Sequence, residues 1–97
     1  MTMSHLLNEA QIVSDDLKLI PAGEWRDYKV SVVHKGGKYV ALLLWDGLSN
    51  TFTVLTNMSE HRELEAAGYP TPHSPLHTIE NNTVYRNLKK LKQDLLK

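Results

Sequence analysis

The chain has no cysteine among its 97 residues. That excludes disulfides, thiolate nucleophiles and cysteine-ligated zinc, and it fits a reducing compartment. Aromatic residues are sparse at 7%, so a surface built on base stacking has little material to work with. The longest apolar run, Tyr39 to Trp45, falls far short of the ~20 residues a membrane-spanning helix needs. The opening residues, Met1 to Ser4, lack the basic stretch and apolar core of a secretory signal. Glycine-rich phosphate loops are missing too, since Gly36-Gly37 is flanked by strand-like sequence and opens no helix. These absences lead to the expectation of one cytoplasmic domain over residues 1–97, with no membrane partner and no cofactor.

Net charge is also missing, with eleven Lys and Arg against eleven Asp and Glu. The zero is a cancellation. Residues 83–97 carry five cations (Arg86, Lys89, Lys90, Lys92, Lys97) and one acid, Asp94, whereas the 82 residues before them carry six cations and ten acids. An acidic body thus meets a basic tail, and a sorted surface steers partners of a definite sign.

The spacing of apolar residues predicts an α+β fold. Ser4 is placed to cap a helix to about Ser14, with Leu6, Ala10, Val13 and Leu17 on one stripe. Pro21-Ala22-Gly23 then punctuates the chain. Trp25 to His34 alternates Tyr28, Val30 and Val32 against Asp27, Lys29 and Ser31, the pattern of a half-buried strand. A Gly36-Gly37 turn, a second strand over Lys38–Asp46, a loop over 47–50 and a third strand over Thr51–Thr56 complete an antiparallel meander. The middle strand is apolar on both sides, so either helices cover both faces or the Trp45 face stays open for docking. Asn57 and Glu60 have capping-box spacing, predicting a helix over 58–67 closed by Gly68. A last helix is expected to start between Thr78 and Thr83, with Val84, Leu88, Leu91 and Leu95 along its seam. The expected order is one N-terminal helix, three strands and two C-terminal helices.

No arrangement with catalytic spacing emerges. His73 and His77 have the H-x3-H separation of metal ligands, but Pro75 between them forbids the helix that would align them. Ser49 lies in a hairpin loop without a nucleophile-elbow context, and Ser4 and Ser59 serve helix starts. The expectation is a protein that is not an enzyme and holds no metal. The basic tail supports a nucleic-acid-binding reading through Arg86, Lys89, Lys90 and Lys92. The order of elements resembles the double-stranded-RNA-binding domain, yet Glu60, Glu63 and Glu65 stand where that family presents cations to phosphates.

Those acids suit the opposite partner. Glu9 on the first helix, Asp27 on a wet strand face, and Glu60, Glu63 and Glu65 on the second helix can occupy lysine- and arginine-rich grooves built for DNA. Small size, an α+β layout, scattered acids and no catalytic motif resemble small phage-encoded anti-CRISPR proteins that mimic DNA and block type I surveillance complexes. The resemblance implies a cytoplasmic inhibitor in a bacterial host, with Glu9, Asp27, Glu60, Glu63 and Glu65 binding the basic DNA-gripping surface of Cas proteins, and no direct contact with nucleic acid. A small nucleic-acid-binding regulator using the basic C-terminal helix is the alternative.

Overall fold

Apolar alternation begins well before Trp25. Leu17 and Leu19 are fully buried while Lys18 and Ile20 face solvent, which is the period-2 signature of a strand with one covered face. In a computed structural model, which describes residues 16–97, this stretch is β1, Leu17–Trp25. It is followed by β2 (Tyr28–Lys35), β3 (Lys38–Asp46), β4 (Thr51–Leu55), helix α1 (Arg62–Ala66), β5 (Thr83–Tyr85) and helix α2 (Leu88–Leu95). The strands form one antiparallel sheet in the order β1-β2-β3-β4-β5.

Among the described residues the fold is therefore a five-stranded sheet with two short late helices, which corrects the expected three-stranded meander. The helix expected over Ser4–Ser14 lies outside the described residues, and Leu17, expected on its stripe, opens β1 instead. Pro21 and Gly23 do not break the chain. They sit within β1 at a register shift against β2, and an edge strand tolerates proline because the missing N–H can face away from the sheet. Gly23 has φ +133, and a Cβ there would stand 2.8 Å from the Tyr69 hydroxyl, so only glycine fits the bulge. The expected strand over 25–34 is divided by a turn at Arg26-Asp27, with Trp25 facing Tyr28 across it.

Both faces of the sheet are covered. One holds Leu17, Leu19, Val33, Ala41, Leu43, Phe52 and Val54 under Leu91 and Leu95 of α2 and Ile79 of the preceding loop. Trp45 packs against this core and bonds Asn50 Oδ1 through its indole N–H at 3.2 Å, so it offers no open docking face. The opposite face holds Val30, Leu42, Leu44 and Leu55 under Met58 and Leu64. A register shift beside Val33 and His34 turns Val40 toward the same core as Ala41.

The helices are shorter than their spacing suggests. Asn57 accepts the Ser59 N–H at 2.9 Å in a local turn rather than capping a helix with Glu60, and α1 starts only at Arg62. Its end follows expectation. Gly68 at φ +102 lets Tyr69 N–H reach Leu64 O and Gly68 N–H reach Glu65 O, each at 3.0 Å, a Schellman closure. At the other end of the chain, Thr83–Tyr85 pairs with β4, leaving Val84 55% exposed and outside any helical seam. Asn87 then caps α2, accepting from Lys89 N–H at 2.8 Å.

Candidate functional site

The β1–β2 turn contains the most unusual local chemistry. Arg26 adopts φ +54, a left-handed conformation that a side chain with a Cβ takes at some cost. Its neighbours hold it. Trp25 and Tyr28 stack with ring centroids 5.9 Å apart and 19° between planes, closing the turn from beneath. The Arg26 guanidinium lies 4.6 Å from the centre of the Trp25 ring and also pairs with the Glu63 carboxylate. The turn is thereby tied to α1, across 37 residues of sequence.

Two clefts flank this contact. The first, about 490 Å³, lies between Trp25, Arg26 and the chain from Ser59 to Glu63. The second, about 410 Å³, lies between Glu24, Arg26, Asp27, Lys29 and Leu48. Arg26 lines both. In the first cleft a polar chain fixes the approach to α1. Asn82 donates its amide to Glu60 Oε2 at 3.1 Å, so its Oδ1, 2.7 Å from His61 Nε2, accepts from that ring nitrogen. In the second cleft, a hydrogen bond from Lys29 holds the Glu24 carboxyl below its ordinary pKa, its charge adding to the effect. Leu48 is 94% exposed at the tip of the loop over 47–50, which Asp46 pins by accepting the Leu48 N–H at 2.9 Å.

The acids singled out from sequence are partly gathered here. Glu60 and Glu63 line the first cleft and Asp27 the second. They do not share a helix face, because Glu60 precedes α1, and Asp27 lies in the turn rather than on a strand face. Glu65 lies outside both clefts and accepts from the Thr71 hydroxyl at 3.3 Å. Glu9 lies outside the described residues. Sequence reasoning passed over Trp25, Arg26 and Glu24. The signal was the run Glu24-Trp25-Arg26-Asp27-Tyr28-Lys29, in which acid, aromatic and base alternate within six residues.

The basic tail is partly neutralised. Asp94 accepts from the Tyr85 hydroxyl at 2.7 Å and has the Lys90 and Lys97 ammonium groups at 3.1 and 3.2 Å. The Tyr85 hydrogen bond, then Lys90, lowers its pKa to about 2. Burial, with Asp94 adding, pushes Tyr85 up to about 12. Two of the five tail cations are thus held by an intrachain acid, while Arg86 and Lys89 stay exposed.

Elsewhere, His73 rests edge-on against the Tyr39 ring, with centroids 5.6 Å apart. Among the described residues no group of three His, Asp or Glu side chains is arranged to hold a metal, and no helix is long and apolar enough to cross a membrane.

The cleft pair can therefore bind in two senses. Its carboxylates and indole face receive a cation, and its arginines receive an anion. Comparison with protein families, with curated proteins and with solved structures finds no match to this chain.

Proposed function

We propose that the chain is a non-enzymatic binding module whose carboxylates around Arg26 engage an arginine- and lysine-rich surface of a partner protein. The partner class is one that grips DNA, and a type I CRISPR surveillance complex is the target the resemblance implies. One observation carries the reading: Asp27, Glu60 and Glu63, distant in sequence, line the two clefts on either side of Arg26, with Glu24 beside them. Carboxylates gathered next to an aromatic wall favour cationic side chains and slow the escape of a partner already steered by charge. The patch is compact and mixed with Arg26, Lys29 and Arg62, so it suits a few partner cations rather than a whole DNA-length groove.

The test replaces Asp27 and Glu63 together by lysine and measures DNA binding by the surveillance complex with and without the protein. The wild-type chain is expected to suppress DNA binding and the double variant to leave it intact, with far-ultraviolet circular dichroism unchanged. Suppression by both proteins would overturn the reading, and so would suppression by neither.

A second reading rests on exposed Arg86 and Lys89 at the start of α2 and makes the chain a nucleic-acid binder. It predicts salt-sensitive anisotropy with a labelled random duplex, removed by Lys89→Glu. Asp94 opposes it by holding Lys90 and Lys97.

A further inference from the structure

The chain's own Arg26 guanidinium lies over an indole and beside a carboxylate. It is 4.6 Å from the centre of the Trp25 ring and pairs with Glu63, and Tyr28 stacks with the same indole. A planar cation over an aromatic face with a carboxylate at its edge is the arrangement in which arginine surpasses lysine, because the flat, weakly hydrated guanidinium stacks where an ammonium does not.

The hold on Arg26 is loose. Its side chain is 60% exposed and that of Glu63 is 65% exposed, and ion pairs this open to water contribute little. Beside Arg26 the cleft of about 490 Å³ is wide enough to admit a side chain, with Glu60 as a second carboxylate and Arg62 as a second cation on its wall.

We propose that Trp25 and Glu63 form an arginine-selective site, and that Arg26 is its resident placeholder, displaced when an arginine of a basic partner enters. This rests on the reading of the carboxylates around Arg26 as a protein-binding surface and names the side chain it takes. In the free protein Arg26 keeps the indole covered and the carboxylate neutralised, which discourages casual association. In the complex the incoming guanidinium takes over both contacts and Arg26 swings toward solvent or toward Asp27 in the neighbouring cleft. The exchange replaces one exposed ion pair by another, so its net cost is low. Selectivity for arginine over lysine comes from the indole.

Fluorescein-labelled hexa-arginine and hexa-lysine serve as probes, titrated by anisotropy at fixed ionic strength. Four proteins are compared: wild type, Arg26→Gly, Glu63→Gln and Glu80→Gln. Glycine at 26 accepts the positive φ, so the turn survives loss of the side chain. Glu80 is exposed and outside the clefts, so its variant measures the general effect of losing one acid. Arg26→Gly is expected to bind hexa-arginine roughly three- to ten-fold more tightly than wild type, the size of gain that removing one exposed competing cation gives. Glu63→Gln is expected to lose more affinity than Glu80→Gln, and wild type to prefer hexa-arginine over hexa-lysine.

Equal or weaker binding by Arg26→Gly would overturn the placeholder. If wild type binds both peptides alike and neither cleft variant matters, the site is wrong while a basic-partner surface elsewhere survives. If none of the proteins binds either peptide, the placeholder and the basic-partner reading fail together.

Discussion

On one face of the sheet eleven buried residues, from four strands, α2 and the loop before β5, meet in a single core. On the other face six do, four from the sheet together with Met58 and Leu64 of a five-residue helix. The larger face is closed by α2, whose Leu91 and Leu95 are fully buried and whose end is fastened to β5 through Asp94 and Tyr85. The smaller face is closed by Leu64, and its rim is open, which is where Trp25, Arg26 and Glu63 form their clefts. Local stability follows buried apolar contact, and binding surfaces occupy the elements with least of it. The two faces thus differ in role: one holds the sheet together, and the other carries the proposed site.

Cutting one leucine from each cover tests this division most strongly. Leu91→Ala is expected to cost roughly 2–5 kcal/mol, the range for emptying a filled core position. Leu64→Ala should fall near the low end of that range, about 2 kcal/mol, because a one-turn helix can settle into the gap. The readouts separate the faces. In urea titrations Leu91→Ala shows the larger drop, yet its folded fraction binds hexa-arginine as wild type does. Leu64→Ala loses peptide binding beyond its loss of stability, because α1 no longer holds Glu63 beside the Trp25 indole. Equal effects on binding would mean that the sheet transmits packing from one face to the other.

How much of this division was readable from sequence depends on which residues carried it. Lys38–Asp46 was legible as a strand apolar on both faces because seven of its consecutive residues are apolar, and the turns at 36–37 and 47–50 because glycine marks them. β1 was not legible. Pro21 and Gly23 look like punctuation, and only the edge position and the close approach of Tyr69 explain why a strand keeps them. β5 was hidden by Val84, whose spacing from Leu88 imitates a helical stripe although the residue faces solvent between two half-buried neighbours. The site was half legible. Its acids stood out by charge, but the Arg26-Asp27 turn lacks the Asn-Gly or Gly signature that marks a two-residue hairpin. Nothing local linked Arg26 to Glu63, since that contact depends on how α1 lies on the sheet.

A gentler perturbation concerns the fastening of the larger face. With the Asp94 pKa lowered from the ordinary 3.8 to about 2, first by the Tyr85 hydroxyl and then by Lys90, the folded state holds this carboxylate ionised more strongly than the unfolded chain does. A depressed carboxyl contributes stability above its unfolded pKa and loses it as pH falls through the folded value. Asp94 therefore contributes fully above about pH 4, and the contribution disappears toward pH 2. Tyr85→Phe is expected to raise the Asp94 pKa toward its ordinary value, as followed by carboxyl NMR titration. The variant should be less stable than wild type at neutral pH and closer to it at pH 2. A constant difference across that range would show that Tyr85 acts through packing and not through the carboxylate. The hexa-arginine site, on the opposite face, should be unaffected at neutral pH.

The smallest effect concerns a flaw in the stronger face. Ser31 is fully buried, and its hydroxyl has no hydrogen-bond partner among the described residues. It lies opposite Leu43 on β3 and Pro21 on β1, so its side chain points into the larger core. Burying a hydroxyl without a partner forfeits the hydrogen bonds it made to water, a loss of about 1–3 kcal/mol offset by the packing its atoms still make. Ser31→Ala removes the penalty and leaves a gap only the size of an oxygen. The expected result is a gain of about 1 kcal/mol in chemical denaturation, with unchanged m-value and unchanged peptide binding. A loss of stability would mean that the hydroxyl finds a partner in solution and that the larger core contains a polar contact. The contrast between a dry supporting face and a polar, partly open binding face would then need to be redrawn at β2, the strand whose residues serve both cores.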